Sequence, residues 1–334
     1  MKVTLTEALC QEGMTLLEQS GADLFVAHDG NPHNYLNELK DSDAFIVRIA
    51  DKGAVDSKTM DASPALKVIG RTGIGVDSVD VDAATARGIP VVVTPGANNR
   101  SVAEHVITLM LALSKNLVEA DVAQREGNWK IRDAGKAFEV EKKTCLLIGL
   151  GTIGKIIAHL CLGLDMKVIG YDTFVSEEQM TLLGVEKRDD KLAAIREADV
   201  VIVQMPLIDG VTNNTIDKPE LDAMKPTALL INCSRGELIN EPAVCEALKT
   251  GSIAGAGLDV FYHEPTRTDD EILHCPNVIV SPHTAAQTRE AVIKMAAMCV
   301  NGCLAVCEGI KWPYVADKKV YDHPRWAGKE WAEV

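Results

Sequence analysis

Three short segments of this 334-residue chain hold side chains that together could move a proton beside an anionic group. They are Asn232-Cys-Ser-Arg235-Gly-Glu, Leu258-Asp259-Val-Phe-Tyr-His-Glu264-Pro and Ser281-Pro-His283-Thr. An imidazole such as His283 exchanges a proton near neutral pH, and a carboxylate behind it fixes its tautomer and stabilises the imidazolium, a part that suits Glu264. Arg235 offers a planar guanidinium that forks onto carboxylate oxygens. Each residue also has an ordinary structural use: a strand-end His is often held by structural hydrogen bonds, an Arg after a strand often sits in a solvated ion pair, and Glu264 can face water. On residue type alone His263, one position before Glu264, is a second candidate imidazole.

A second pattern lies upstream. Gly149-Leu-Gly151-Thr152-Ile153-Gly154 fits G-x-G-x-x-G, follows the apolar run Cys-Leu-Leu-Ile and opens a helical stretch, with a second apolar run ending in Asp172. In such a unit the first Gly makes the tight turn, the second admits a pyrophosphate to the backbone, and the third lets helix meet strand. N–H groups at the helix start, here Thr152 and Ile153, hold phosphate oxygens. The Asp172 carboxylate suits adenosine ribose hydroxyls and would repel a 2′-phosphate. Thr173-Phe174-Val175 supplies no Arg to offset that repulsion. The expected cofactor is therefore NAD, with a Gly-rich turn of a non-binding domain as the bland alternative.

These residues need a sheet whose strand ends converge. Apolar runs at 144–148, 167–171, 200–204, 228–232, 255–259 and 278–281 alternate with helical spacing, the mark of a doubly wound α/β domain, and the three chemical segments fall at the carboxyl ends of its later strands. Runs at 2–6, 44–49, 66–70 and 91–93 predict a smaller parallel α/β domain before it. Between the two, Ser101 and Glu104 suggest a capping box opening one long helix over 102–122. Its apolar residues imply burial between domains or subunits, or within one domain. The last helix, from Thr288 to about Glu308, could return to the first domain. The expected division is thus 1–98 plus 288–334, and 99–287. The Trp-rich tail 311–334 reads as an irregular segment packed on a surface.

Composition narrows the partners. Apolar residues at 47% and charged residues at 25% suit a packed globular chain, and the formal charge of −14 gives no basic face for nucleic acid or anionic membrane. Nine cysteines without C-x-x-C pairs predict reduced thiols rather than disulfides or a metal site. With no signal-like start and no apolar run expected to reach a membrane span, the expected location is cytoplasmic.

The set Arg235, Glu264 and His283 in the order NCSRGEL, LDVFYHEP, SPHTAAQT, behind GLGTIGK and GYD, resembles the D-isomer-specific 2-hydroxyacid dehydrogenase family over residues from about 45 to 305. The resemblance implies a Rossmann NAD-binding domain inserted into a discontinuous flavodoxin-like substrate domain. It also implies hydride transfer between nicotinamide and the C2 carbon of a small anionic 2-hydroxy or 2-keto acid, with Arg235, Glu264 and His283 catalytic. It assigns Asp259 to the nicotinamide carboxamide, Cys233 and Ser234 to the nicotinamide pocket, and Gly73-Ile74-Gly75 to the substrate carboxylate. The helix after Ser101 matches the family's dimer helix, which implies a homodimer through region 101–122. Within the family the pattern is most similar to phosphoglycerate dehydrogenases, whose substrate loop VRIADKG resembles at 47–53, with Arg48 placed for a phosphate and Lys52 and Arg100 able to add charge. Ile49 and Asp51 depart from that pattern, and a chain without the regulatory extension of many such enzymes is the expectation. Hydroxypyruvate/glyoxylate reductase, D-lactate-type and sulfonated 2-hydroxy acid dehydrogenases remain alternatives, as does an NAD-sensing corepressor-like binding protein.

Overall fold

Short runs rich in Val, Ile and Leu become the strands of two parallel sheets in the computed structural model, which describes residues 1–208 and 210–333. The chain divides into two units: Met1–Asn98 with Thr288–Val334, and Asn99–Gln287.

In the first unit β1 (Lys2–Leu5), β2 (Asp23–Val26), β3 (Ala44–Val47), β4 (Val68–Arg71) and β5 (Val91–Val92) form a sheet ordered β2-β1-β3-β4-β5. That is the flavodoxin-like order. The sequence reading missed β2: it lies at the sheet edge and none of its four residues is fully buried, so its pattern is weak. The helix Arg289–Cys307, capped by the Thr288 hydroxyl accepting from the Ala291 N–H, supplies Cys299, Val300 and Cys303 to a core shared with Val3, Leu5, Ile46 and Val68. Contrary to the expectation that no segment reaches a membrane span, this helix is long and apolar enough by composition alone. The core it lines explains its hydropathy.

The tail is more than a surface segment. Val93 N–H donates to Tyr314 O (3.0 Å) and Ala316 N–H to Val91 O (2.8 Å), so residues 314–316 add an antiparallel rung to the β5 edge and blunt it. Trp312, Val320, Tyr321 and Trp326 are buried, and Trp326 Nε1 donates to Gly88 O at 2.8 Å.

The second unit carries β6 (Thr144–Ile148), β7 (Lys167–Tyr171), β8 (Glu186–Lys187), β9 (Val200–Val203), β10 (Leu229–Asn232), β11 (Gly255–Leu258) and β12 (Val278–Val280). Their order β12-β11-β10-β9-β6-β7-β8 is the 3-2-1-4-5-6 arrangement of doubly wound nucleotide-binding sheets with one further strand. Only β8, two charged residues, had no sequence signal. Period-two alternation explains why these strands read as continuous apolar runs. Val201 and Val203 of β9 enter the core on one face, and Val200 and Ile202 the core on the other.

The long helix is corrected in two ways. It begins at Asn99, so Ser101 lies inside it and forms no capping box with Glu104. The Ser101 hydroxyl donates instead to Ala285 O at 2.6 Å, and Glu104 pairs with Arg100. The helix also stops at Ser114. Asn116, at φ +49°, takes the left-handed conformation that Asn tolerates, and a second helix runs over Leu117–Arg125. The first segment is buried within this unit through Val102, Ala103, Val106, Leu109 and Met110, while the second exposes Leu117, Val118 and Val122.

Candidate active site

The order of the second sheet reverses between β6 and β9, and open α/β sheets form their ligand crevice at such a reversal. The Gly-rich turn sits there. Gly149 has φ +100°, and a Cβ on it would stand 2.2 Å from Gln204 O at the end of β9, so only glycine fits. A Cβ on Gly154 would meet Gly149 O at 2.4 Å, whereas one on Gly151 would point into open space. The helix Thr152–Leu162 starts there with no side chain capping it, which leaves the first-turn N–H groups and the positive end of its dipole for an anion. Gln204 Oε1 is buried with no hydrogen-bond partner among the described residues. An open face at Gly151, uncapped N–H donors and an orphaned buried acceptor are what a dinucleotide site requires, so the residues present fit the group.

Asp172 ties this turn to β7. Its Oδ2 accepts the Leu150 N–H at 2.8 Å, and its Oδ1 accepts the N–H groups of Phe174 (2.8 Å) and Val175 (3.2 Å). A carboxylate has about four acceptor positions, so it retains capacity for a ribose hydroxyl. Phe174 is almost fully exposed.

The catalytic candidates converge on the later strand ends. His283 Nδ1 lies 2.7 Å from Glu264 Oε2, and Glu264 Oε1 accepts the Phe261 N–H at 3.0 Å, so both carboxylate oxygens are held. Partial burial pushes the Glu264 carboxyl up. The hydrogen bond and charge of His283, the Phe261 N–H and the positive charge of Arg235 outweigh it, and the group lies below the usual carboxylate range. Arg235 stands in the turn that follows β10. Its Nη1 donates to Ser234 O at 2.7 Å, and the Asn232 amide closes the turn by donating to Arg235 O at 2.8 Å. A Cβ on Gly236 would fall 1.9 Å from the Phe261 carbonyl carbon, so the 235–236 turn lies directly against the chain that leads to Glu264. His263 packs its ring edge-on to Tyr262 instead of joining the pair.

Asp259 is completely buried. Its Oδ1 accepts the Ser281 hydroxyl (2.6 Å) and the Thr284 N–H (2.8 Å), and its Oδ2 accepts the Ala285 N–H (2.8 Å). Its backbone carbonyl accepts the His283 N–H at 2.8 Å. His283 itself has φ +51°, a left-handed conformation that costs a non-glycine residue on the order of 1 kcal/mol and persists only where neighbours impose it. The Cys233 thiol is buried and pushed well up by that burial and then by the charge of Asp259, so it stays protonated. Ser234 donates its hydroxyl to Met205 O at 2.6 Å.

The remaining candidates lie in the first unit. Arg48 follows β3; its N–H donates to Thr6 Oγ1 (3.0 Å) and its Nη1 to Ala8 O (3.0 Å). The Gly73-Ile74-Gly75 loop follows β4, pinned by the Thr94 N–H donating to Gly73 O at 3.0 Å, with Ile74 half exposed. Ile49 is exposed beside Arg48 in the chain.

Sequence reasoning missed several residues that build the site: Asn232 and Gly236 around Arg235, Glu241, whose carboxylate accepts the Tyr262 N–H, and Ser281 and His105 around Asp259. Asn232, Gly236 and Ser281 stood inside the quoted motifs, where adjacency to Arg235 and His283 was a usable signal. His105 and Glu241 had none, because their partners are distant in sequence.

The fold and site have relatives. Residues 107–285 match the family model described as the NAD binding domain of D-isomer specific 2-hydroxyacid dehydrogenases. A D-3-phosphoglycerate dehydrogenase from Archaeoglobus fulgidus is 37% identical over 311 residues, covering 93% of this chain and 58% of the relative. The chain thus spans little more than half the length of such relatives, 54% and 52% for two others. A glyoxylate reductase from Korarchaeum cryptofilum is 33% identical over 96% of both chains. Among solved structures, the TT0316 protein from Thermus thermophilus superposes with a TM-score of 0.87 at 31% identity, over 95% of this chain and 100% of that one. With a matched NAD-binding domain and full-length similarity on this scale, the chain belongs to the D-isomer specific 2-hydroxyacid dehydrogenase family.

Proposed function

We propose that this protein is an NAD-dependent oxidoreductase that interconverts a D-2-hydroxy acid and its 2-keto acid, with a phosphoglycerate dehydrogenase-like substrate as the first choice. The observation that carries the reading is the 2.7 Å bond from His283 Nδ1 to Glu264, with the Arg235-Gly236 turn packed directly against the chain that leads to that carboxylate. With Nδ1 committed to Glu264, Nε2 is the nitrogen left to take the hydroxyl proton in oxidation and return it to the carbonyl oxygen in reduction. Arg235 meets the substrate oxygens as charge develops on them. When bound, the nicotinamide supplies hydride chemistry at C2. The Asp172 carboxylate, followed by the uncharged 173–175 turn, favours NAD over its 2′-phosphorylated form.

Two relatives divide the substrate question. The Archaeoglobus fulgidus similarity and Arg48 support a phosphorylated 2-hydroxy acid, while the glyoxylate reductase similarity extends over 96% of both chains and supports a small unphosphorylated one. Gly73, Ile74 and Gly75 would take the substrate carboxylate in either case. A panel of 2-keto acids, including 3-phosphohydroxypyruvate, hydroxypyruvate and glyoxylate, assayed with NADH and NADPH, separates the readings. No turnover on any member would end the dehydrogenase proposal and leave an NAD-binding regulatory protein.

A homodimer through the 101–122 region is the proposed assembly, supported by the exposed apolar side chains of Leu117, Val118 and Val122. The proposed location is the cytoplasm, supported by nine cysteines that are all free thiols.

A further inference from the structure

The loop that carries His283 is gripped at both ends by one face of one helix. Ser101 and His105 stand four residues apart in the helix Asn99–Ser114 and therefore on the same side of it. The Ser101 hydroxyl donates to Ala285 O at 2.6 Å, two residues after His283. His105 Nε2 lies 2.8 Å from Ser281 Oγ, two residues before it. Among the buried contacts of Asp259, the Ser281 hydroxyl can only donate, because the carboxylate already accepts the N–H groups of Thr284 and Ala285. The Ser281 oxygen must then accept from His105, which fixes a proton on His105 Nε2. The polarity runs one way, from His105 Nε2–H to Ser281 Oγ and from Ser281 O–H to Asp259 Oδ1. His105 Nε2 is also 3.5 Å from Asp259 Oδ1, on a carboxylate with almost no solvent exposure.

The left-handed backbone of His283 sits between these two grips. A strained conformation holds only where its surroundings impose it, and here Asp259 imposes it through its carbonyl and both carboxylate oxygens. We propose that the Ser101/His105 face is a positioning clamp for His283, with His105 the residue that orients Ser281 and Asp259 so that the imidazole meets the substrate oxygen. The proposal rests on the acid/base reading of His283. His105 is a positioning residue: it acts through Ser281 and Asp259.

The test compares His105→Leu, which removes the donor, with His105→Gln, whose amide N–H can still reach Ser281. The readouts are kcat and KM on the 2-keto acid found by the panel, and the histidine ¹H–¹⁵N resonance of the His283 proton shared with Glu264. His105→Leu is expected to lower kcat about tenfold or more with KM changed less than about threefold, since misplacing a catalytic group acts on the chemical step. It should also shift or broaden the His283 resonance, and His105→Gln should restore both. The clamp is overturned if His105→Leu keeps kcat within about twofold, if His105→Gln is as impaired as His105→Leu, or if the His283 resonance is the same in all three proteins. Should His105→Leu fail to fold, Ser101→Ala reads the other grip: a lowered kcat with a shifted resonance supports the clamp, and an unchanged pair overturns it. If wild type turns over no 2-keto acid, the acid/base reading falls, and the resonance comparison still decides the clamp.

Discussion

Glu264 and His283 lie nineteen residues apart in the chain, yet the carboxylate and the imidazole Nδ1 meet at 2.7 Å because β11 and β12 run parallel side by side and deliver their carboxyl-terminal loops to one edge. The pair occupies Nδ1 and leaves Nε2 as the nitrogen proposed to meet the substrate. His283→Gln is therefore expected to lower kcat by about 10²–10⁴, the usual worth of a general acid/base, while NADH binding followed by fluorescence stays within about threefold. A kcat within about tenfold of wild type would remove His283 from the chemistry.

The lowered position of the Glu264 carboxyl carries a consequence for stability. A carboxyl whose folded value lies below its unfolded value stabilises the fold above the unfolded value, and that contribution disappears as pH falls through the folded value. Glu264→Gln is thus expected to unfold at a lower temperature than wild type near pH 7, with the two melting curves converging as pH drops below the ordinary carboxylate range. A gap that stays constant down to about pH 3 would mean that ionisation of Glu264 contributes nothing to stability.

Gly236 makes a different prediction. A Cβ there would overlap the Phe261 carbonyl carbon at 1.9 Å, and backbone on both sides leaves nothing flexible to yield. Gly236→Ala should displace the 261–264 segment and cost about 10²-fold in kcat, as small misplacements of catalytic groups do. Steady-state kinetics beside a thermal melt tell a displaced site from an unfolded one.

The tail is expected to matter for stability. Trp326 is 3% exposed, donates to Gly88 O and stacks edge-on to Tyr321 with ring centroids 5.2 Å apart. Trp326→Ala should destabilise its unit by about 3–5 kcal/mol, read by urea unfolding of the first transition to lose cooperativity. A loss below about 1 kcal/mol would return the tail to a surface role.

The exposed apolar face of the helix Leu117–Arg125 predicts an assembly. Val118→Glu with Val122→Glu should shift sedimentation from dimer toward monomer, since each places a charge on a face that a partner would bury. A wild-type protein that sediments as a monomer would remove the dimer proposal.

Much of the second unit was legible in the sequence because its strands are buried on both faces, so Thr144–Ile148 or Val200–Val203 stand out as apolar runs and the Gly-rich turn follows one of them. The edge elements were not legible: Asp23–Val26 and Glu186–Lys187 are partly exposed and carry too few apolar residues to show a period. The capping box at Ser101 was a misreading with a physical cause. Ser and Glu at that spacing satisfy the N-terminal pattern, but the helix starts earlier and the Ser101 hydroxyl has a partner 184 residues away.

The residue order alone determined the chemistry available, a His, a Glu and an Arg at successive strand ends behind a Gly-rich turn, because side-chain types and local strand-turn-helix signals are properties of short stretches. Only the tertiary structure decided that His283 rather than His263 meets Glu264, that the His283 backbone is left-handed, and that Ser101 and His105 hold its loop. Those relationships depend on hydrogen bonds between residues brought together by parallel strand pairing, and no local spacing encodes them.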